Sequence, residues 1–296
     1  MSVVHSVPGM STPDLDALRR HAIGVLGEAG VPSPEADADL LIGHVLGFSR
    51  GQVQAKALLG AVVDAEQVLA ITEAIERRAT REPAQHITGV APFRLLELEV
   101  GPGVFTPRPE TEFVAQFAID ALAAVPSPAP LAVDLGSGSG AIALAMATEV
   151  PHARIVAVEN SPAAFPWTTR NVRRLGDDRV RLVFADLADA LPELDGTVDV
   201  VVSNPPYIPI DAVPRDPEVR LFEPPAALYS GRDGLDAVRA LSTTARRLLR
   251  PGGTLVIEHG ELQAAEIAEI LMASGFGAIA CHRDLLARDR ATTASR

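Results

Sequence analysis

The sequence contains very little cysteine. Cys281 is the single cysteine among 296 residues, so no disulfide can form within the chain. Such a chain is typical of a reducing compartment rather than of secretion, and we expect the protein to work in the cytoplasm. The sequence also lacks a run of about 20 apolar residues, the length that crosses a bilayer, and its start lacks the pattern of a signal peptide. We therefore expect no membrane role.

Positive charge and several catalytic motifs are scarce as well. The formal net charge is −12, with 26 lysines and arginines against 38 aspartates and glutamates. Because non-specific affinity for nucleic acids comes mainly from cationic side chains that neutralise phosphates, this balance argues against a nucleic-acid substrate. The sequence has no His-Glu-x-x-His motif and no cysteine-rich ligand set, so we expect no metal. It also lacks the Gly-x-Ser-x-Gly elbow of serine hydrolases.

The N-terminal region, residues 1–85, has a helical pattern. Thr12 and Ser33 each precede a proline that suits a first helical turn, and their side chains are suited to helix capping. Apolar residues recur at helical spacing up to Gly30 and again after Asp64. This region therefore predicts a small helical bundle, and nothing in it resembles a catalytic cluster.

The rest of the chain alternates between strand and helix patterns. Residues 86–108 contain short apolar pieces interrupted by glycine and proline, which predicts a hairpin-like linker. From Pro109 a helix to about Val125 is followed by strand candidates separated by helical segments. This order predicts a doubly wound α/β domain over residues 109–296, with a mainly parallel sheet covered by helices on both faces. The strand candidates are residues 131–134, 155–159, 180–184, 198–203, 254–259 and 278–282.

A glycine-rich turn, Asp-Leu-Gly-Ser-Gly-Ser-Gly at residues 134–140, follows the first strand candidate. Glycines allow a sharp turn and a close approach to a ligand, so we expect a nucleotide-type cofactor here. The Gly-x-Gly-x-x-Ala spacing from Gly138 also fits a dinucleotide, and Glu159 could accept from a ribose in either case. Asp134 favours S-adenosylmethionine, because its carboxylate can reach the cationic amino-acid moiety that NAD lacks. Asp186, after the third strand, could accept from an adenine amino group.

The fourth strand candidate ends in the run Asn204-Pro205-Pro206-Tyr207. Carboxyl ends of strands in an open α/β sheet face the ligand cleft, so we expect this run beside the glycine-rich turn. The Asn204 side-chain oxygen and the Pro205 carbonyl can hold the N–H groups of a planar amide or amino nitrogen in line with a methyl group. Orientation then does most of the catalysis, because the alkylated nitrogen is acidic enough to lose its proton to water. Tyr207 offers an aromatic face on which the planar group can stack.

Further blocks make the chain resemble the HemK/PrmC family of protein-(glutamine-N5) methyltransferases, which modify peptide-chain release factors. The resemblance covers nearly the whole chain. It implies a seven-stranded, Rossmann-like class I methyltransferase domain, a helical domain at residues 1–85 that docks the release factor, and a β-hairpin linker at residues 86–108. The blocks are Arg81-Glu82-Pro83 with His86, Thr88 and Gly89, residues 106–112, Phe222-Glu223-Pro224, and Gly252-Gly253 with Glu258-His259-Gly260.

The resemblance also implies roles for single residues. Leu187 stands beside the adenine where some relatives carry an aromatic residue, and Glu159 replaces a commoner aspartate. The catalytic residues would be Asn204, Pro205 and Tyr207. The glutamine of a Gly-Gly-Gln motif in a class 1 release factor would contact Asn204, Pro205, Pro206, Tyr207 and Phe105. The cofactor S-adenosylmethionine would contact Asp134, Gly136, Ser137, Gly138, Ser139, Gly140, Glu159, Asp186, Leu187 and Asn204.

Three other activities fit parts of this pattern. A methyltransferase of a ribosomal-protein glutamine would use the same pocket, and an adenine-N6 methyltransferase of nucleic acids would use a similar Asn-Pro-Pro-Tyr run. A non-catalytic binder of release factors or ribosomes would keep the fold. The acidic net charge argues against a nucleic-acid methyltransferase. The intact residues 136–140 and Asn204 argue against a non-catalytic binder. We therefore expect methyl transfer to a release-factor glutamine, which would support translation termination.

Overall fold

The computed structural model describes residues 14–296. These residues form two compact units. One unit consists of the described residues up to Gly89 together with Arg215–Phe222, and the other consists of Val90–Pro214 and Glu223–Arg296. The helical unit therefore includes a short segment that lies far along the chain, after the Asn-Pro-Pro-Tyr run.

The helical unit is built from amphipathic helices around an apolar core. Leu18 and Leu26 of the first helix pack with Ile42 and Ile71 of later helices. The predicted start at Thr12 lies outside the described residues, and the Asp14 side chain caps the first helix through the amide of Asp16. The helices are α1 (Leu15–Glu28), α2 (Pro34–Leu46), α3 (Arg50–Leu58), α4 (Ala65–Ala79), α5 (Ala84–Thr88) and, from the later segment, α9 (Pro217–Phe222).

One capping prediction in this unit is wrong. Helix α2 does begin at Pro34, but the Ser33 side chain makes no capping hydrogen bond within the described part of the chain. Its backbone has ψ of 64° instead of the extended value that lets an N-cap side chain turn back onto the helix. The proline at the first helical position, which needs no N–H partner, starts this helix instead.

A buried ion-pair network holds the later segment within the helical unit. Arg81 binds both carboxylate oxygens of Glu218 at 2.7 and 2.6 Å, and Arg78 binds the same carboxylate at 2.9 Å. Burial raises the pKa of Glu218, but the arginine hydrogen bonds outweigh it and leave this pKa at about 2. Arg81, the first residue of the Arg-Glu-Pro block, thus has a structural role in holding α9.

The second unit contains a hairpin and a seven-stranded sheet, as predicted for a doubly wound α/β fold. The sheet order is β5-β4-β3-β6-β7-β9-β8, and all neighbours from β5 to β7 are parallel. The strands are β1 (Val90–Phe93), β2 (Leu96–Glu99), β3 (Leu131–Leu135), β4 (Arg154–Glu159), β5 (Val180–Phe184), β6 (Val198–Ser203), β7 (Leu249–Glu258), β8 (Gly277–Arg283) and β9 (Asp289–Ser295). The helices are α6 (Pro109–Ala123), α7 (Ala141–Glu149), α8 (Phe165–Asn171), α10 (Asp236–Leu248) and α11 (Ala264–Ala273).

Two apolar clusters cover the two faces of the sheet. On one face, side chains of α6 and α7 pack with the hairpin residues Phe93 and Leu98. On the other face, α10 and α11 pack on Val201 and Leu255. The hairpin therefore contributes to the core of this unit, and the first residues of the predicted linker, 86–88, belong to the helix Ala84–Thr88 instead. Within residues 14–296 no helix is long and apolar enough to span a bilayer.

Candidate functional site

The glycine-rich turn lies at the carboxyl end of β3. Gly136 and Ser137 both donate their backbone N–H to the Val158 carbonyl at 2.9 Å, which ties the turn to β4. Gly136 and Gly138 have φ of +78° and +55°, a left-handed conformation that glycine adopts without strain. A Cβ at either glycine would meet no described atom within 4 Å. The turn therefore presents bare backbone to open space, as a cofactor cradle requires.

Glu159, at the end of β4, braces this turn. Its two carboxylate oxygens accept backbone N–H groups from Gly138 and Ser161, both at 2.7 Å. Each oxygen keeps a further lone pair, so the carboxylate can still accept from a ribose hydroxyl. Glu159 thus has a structural part in shaping the turn, and its ribose contact stays a prediction.

Asp134, the fourth residue of β3, is a buried and incompletely satisfied carboxylate. One oxygen accepts from the Ala143 amide in the first turn of α7 at 3.1 Å, whereas Oδ1 has no partner among the described residues. Burial, with the nearby charge of Glu159, raises the pKa of Asp134 to about 7. A cationic or hydrogen-bond-donating ligand would relieve this cost, so the residue fits the amino-acid moiety of S-adenosylmethionine.

Asp186 and Leu187 follow β5 at the same edge of the sheet. The Asp186 side chain accepts from the Ala188 amide and from the Asn160 carboxamide, each at 2.9 Å. Asn160 directly follows Glu159, so these contacts join the ends of β4 and β5. Leu187 is half-buried and packs against the α10 and α11 face. Their contacts with adenine stay predictions.

The Asn-Pro-Pro-Tyr run follows β6, the central strand next to β3. The Asn204 carboxamide donates from Nδ2 to the hydroxyl of Thr111 on α6 at 3.2 Å, which leaves Oδ1 as an acceptor. The Tyr207 backbone carbonyl accepts from the Gln263 side chain at 2.9 Å, and this contact anchors the end of the run. Burial and the neighbouring Glu258 raise the pKa of Tyr207 to about 12. The stacking of the Tyr207 ring on a planar group stays a prediction.

Phe105 lies in a segment that is held by a buried glutamate. Glu223 accepts from the Thr106 amide at 3.1 Å and from the Arg108 guanidinium at 2.6 Å. The Arg108 guanidinium also lies 5.4 Å from the centroid of the Phe105 ring. The blocks around residues 106–112 and 222–224 thus meet through Glu223, and the place of Phe105 near the methyl group stays a prediction.

Sequence reasoning gave no individual role to several residues that hold the site together. Asn171, fully buried at the end of α8, binds the backbone of Glu99 in the hairpin and the Ser139 carbonyl in the glycine-rich turn. Thr111 accepts from the Asn204 carboxamide at 3.2 Å, and the buried carboxylate of Glu258, whose pKa burial raises to about 7, lies near Thr111. Thr111 and Glu258 had a sequence signal, since each belongs to one of the resembling blocks, whereas Asn171 belongs to none of them.

These features together define a class of protein. A glycine-rich turn after the first parallel strand, an acid at the end of the second and an Asn-Pro-Pro-Tyr run after the fourth lie on one edge of a seven-stranded sheet. This is the arrangement of a class I S-adenosylmethionine-dependent methyltransferase. A solved 16S rRNA N2 G1207 methyltransferase of T. thermophilus shares the fold at 21% identity, with a TM-score of 0.51 over 70% of this chain and 49% of that chain.

Comparison with protein families gives the particular group. Residues 17–89 match the family described as PrmC N-terminal domain, and residues 96–223 match the methyltransferase small domain. The chain is 50% identical to the release factor glutamine methyltransferase of Streptomyces coelicolor, over 92% of this chain and 94% of that protein. It is 43% identical to the protein of the same name from Bifidobacterium longum, over 90% and 94%. The chain belongs to the release factor glutamine methyltransferase family, whose cofactor is S-adenosylmethionine.

One relative bears a different name. A 4-amino-L-phenylalanine/4-methylamino-L-phenylalanine methyltransferase of Streptomyces pristinaespiralis is 40% identical over 90% of this chain and 89% of that protein. Proteins that resemble this chain over most of their length thus bear names with two kinds of substrate, a release-factor glutamine and a derivative of phenylalanine.

Proposed function

We propose that this protein transfers a methyl group from S-adenosylmethionine to the side-chain amide nitrogen, N5, of the glutamine in the Gly-Gly-Gln motif of class 1 peptide-chain release factors. The observation that carries the proposal is the Asn204 carboxamide, whose NH₂ is bound by Thr111 while Oδ1 stays an acceptor. The 50% identity to a release factor glutamine methyltransferase supports the choice of an amide. Such an enzyme would act in the cytoplasm, where release factors work.

The residues of the acceptor run suit a nitrogen that is a poor nucleophile. An amide lone pair is delocalised into its carbonyl, so transfer requires close positioning rather than a strong base. Asn204 Oδ1 and the Pro205 carbonyl would accept the two N–H groups of the glutamine, and the Tyr207 ring would stack on its amide plane. Pro205 and Pro206 restrict the backbone and keep these acceptors in place.

The glycine-rich turn and its acids would hold the cofactor. The backbone of residues 136–140 would approach it, Glu159 would accept from the ribose, and Asp134 would meet the cationic amino-acid moiety. When bound, S-adenosylmethionine supplies a sulfonium methyl, whose bond to sulfur breaks as the amide nitrogen bonds to carbon, leaving a neutral thioether and a proton for solvent.

We further propose that the helical unit docks the body of the release factor. The support is a group of apolar side chains on and after α3 and on α4 that are exposed to solvent, Leu58, Leu59, Val62 and Leu69, with exposed fractions of 86, 84, 67 and 71%. Contiguous exposed apolar patches mark protein contacts, and Leu58, Leu59 and Val62 lie close together along the chain. Replacing Leu59 by Glu should raise KM for an intact release factor and leave KM for a short Gly-Gly-Gln peptide unchanged.

A labelling experiment tests the activity. The protein is incubated with methyl-labelled S-adenosylmethionine and, in separate reactions, a purified release factor, its Gly-Gly-Gln to Gly-Gly-Ala variant, ribosomes, DNA and free 4-amino-L-phenylalanine. We expect label on the release factor alone. Label on the alanine variant, or preferential label on ribosomes, DNA or the free amino acid, would contradict the proposal and would identify the alternative substrate.

A further inference from the structure

The side chain of Gln263, in the loop between β7 and α11, joins three loops of the second unit. Its Nε2 donates to the Tyr207 carbonyl at 2.9 Å and to the Asp233 carbonyl at 3.4 Å. Its Oε1 accepts from the Gly260 backbone N–H, also at 2.9 Å. These partners belong to the acceptor run after β6, to the loop before α10 and to the Glu-His-Gly block after β7. One half-buried carboxamide thus uses both of its donors and an acceptor to tie these loops together.

Gly260 lies beside the ring of Tyr207. A Cβ added to Gly260 would lie 3.7 Å from Cδ2 of that ring, an ordinary van der Waals distance. The same Cβ would lie only 2.9 Å from Oε1 of Gln263. Gln263 therefore binds the backbone of the tyrosine and also the backbone of the glycine next to its ring. These two attachments limit how the ring can tilt and shift.

The loop before α10 is shaped to let the carboxamide reach the tyrosine. Gly234 has φ of +79°, in the left-handed region that glycine adopts without strain. A Cβ at this position would overlap the Tyr207 carbonyl oxygen and would lie 2.9 Å from Gln263 Nε2. A residue without a side chain is therefore needed where the hydrogen bond forms.

The segment that follows the acceptor run is held without Gln263. The Ile208 N–H donates to the Leu228 carbonyl at 2.8 Å, and the Ile208 carbonyl accepts from the Ser230 N–H at 2.9 Å. These backbone hydrogen bonds already pair the two segments. The Gln263 carboxamide acts one residue earlier, at Tyr207, which points to a role in the site rather than in folding of the loop.

We propose that Gln263 is a positioning residue that sets the orientation of the Tyr207 ring and, through the ring, the plane in which the substrate amide lies during methyl transfer. This inference rests on the proposed function and deepens it, because the ring is the surface on which the glutamine amide would stack. Transfer to a weakly nucleophilic nitrogen depends on its alignment with the methyl group. A tilted ring should therefore slow the reaction more than it weakens substrate binding.

The first test compares variants that remove different contacts of this junction. Gln263→Met removes both contacts at a similar side-chain length, whereas Gln263→Glu keeps an acceptor for Gly260 but, when ionised, cannot donate to Tyr207. We expect both to lower kcat for the release factor by about tenfold and to leave KM and cofactor affinity within about threefold. Glu266→Gln, an exposed change in the first turn of α11, is the matched control and should keep the wild-type kcat.

A second variant reaches the same carboxamide from outside. In Gly260→Ala the added methyl would press on Gln263 Oε1, the far end of a flexible side chain, and would stay at normal contact distance from the Tyr207 ring. The backbone of Gly260 lies outside the left-handed region, so alanine fits there without strain. We expect Gly260→Ala to fold normally and to lower kcat by about threefold to tenfold.

A double-mutant cycle shows whether Gln263 acts through the ring. In a Tyr207→Ala background, Gln263→Met should lower kcat by less than about twofold further, because no ring is left to orient. If Gln263→Met retains the wild-type kcat, or if it costs as much in the Tyr207→Ala background as in the wild type, the inference is wrong. Failure of the proposed function looks different, since the wild-type protein itself would then leave the release factor unlabelled.

A further readout does not depend on activity. The sequence contains two tyrosines, Tyr207 and Tyr229, so protein that carries 3-fluorotyrosine should give two ¹⁹F signals, which Tyr207→Phe assigns. The Tyr207 signal should be the same in wild type and Glu266→Gln, and shifted or broadened in Gln263→Met. Identical Tyr207 signals in wild type and Gln263→Met would overturn the inference even if no substrate were known.

Discussion

The cofactor side of the sheet edge, at β3 and β4, differs from the acceptor side, at β6 and β7, in the groups that it presents. On the cofactor side, backbone N–H groups and bare glycine backbone form the surface, and Glu159 holds them in place. On the acceptor side, Thr111 holds the Asn204 carboxamide, which we propose presents the acceptor together with the Pro205 carbonyl.

Each side also contains a buried carboxylate with one oxygen that has no partner among residues 14–296, Asp134 on one side and Glu258 on the other. Burial raises the pKa of both to about 7. The two differ in their surroundings, since a backbone amide binds Asp134, whereas the charged groups near Glu258 are Arg290 and Glu110. The contacts that hold the two sides are separate. Mutations on one side should therefore leave the function of the other intact.

The largest expected effect is that of Asn204→Ala, which should impair the acceptor side and leave the cofactor side intact. Asn204→Ala removes the oriented acceptor, so we expect kcat/KM for the release factor to fall by about a thousandfold or more. Cofactor affinity, measured by calorimetry, should change by less than about threefold. Equal losses of transfer and of cofactor binding would show that the orienting role is wrong.

The next effect comes from the cofactor side. Glu159→Ala leaves the Gly138 and Ser161 amides without their acceptor, and charge-assisted hydrogen bonds of this type contribute about 1.5–3 kcal/mol each. We expect cofactor affinity to fall by about tenfold to a hundredfold and the melting temperature to fall as well. Glu159→Gln, which keeps one acceptor oxygen, is the matched control and should lose less. A normal cofactor affinity for the alanine variant would show that Glu159 does not contribute to cofactor binding.

A smaller expected effect is a pH dependence of cofactor affinity that arises from the cofactor side alone. Because burial raises the pKa of Asp134 to about 7, the free protein holds a proton there below that pH, and a cationic ligand must displace it. Cofactor affinity should be constant above about pH 7.5 and fall by up to tenfold per pH unit below 7. Calorimetry across this range should show a flat profile for Asp134→Asn and an unchanged profile for Glu258→Gln. A slope that persists in Asp134→Asn would assign the titration to another group.

The smallest effect concerns the hydroxyl of Tyr207. If the ring serves only as a stacking surface, Tyr207→Phe should retain kcat/KM for the release factor within about threefold, whereas Tyr207→Ala should lose tenfold or more. Steady-state kinetics with both variants measures the contrast. A large loss in the phenylalanine variant would give the hydroxyl a direct part in the reaction.

The sequence allowed much of the sheet to be predicted, because its buried parallel strands are continuous apolar runs. Val180–Phe184 and Val198–Ser203 have the predicted limits. The antiparallel strand Asp289–Ser295 was missed, since its short side chains form a strand only by pairing with β7 and β8. β7 begins at Leu249 rather than at Thr254, because a register shift lets the Pro-Gly-Gly stretch join the strand.

The candidate site, like the sheet, could be predicted from the sequence only in part. The glycine-rich turn and the acceptor run were recognisable because their residues are contiguous. The support of Asn204 by Thr111, and of the turn by Asn171, depends on residues that only the fold brings together. Local patterns identify the surface that meets the ligands, and tertiary contacts decide how that surface is oriented.

The most direct test of the account is the position of the methyl group on its product. A release factor treated with the protein and S-adenosylmethionine is digested, and the peptide that contains the Gly-Gly-Gln motif is sequenced by fragment mass spectrometry. The account predicts a single added methyl on the glutamine side-chain nitrogen, absent when Asn204→Ala replaces the wild-type protein. A methyl on any other residue, or an unmodified glutamine after prolonged incubation with the active wild-type protein, would contradict it.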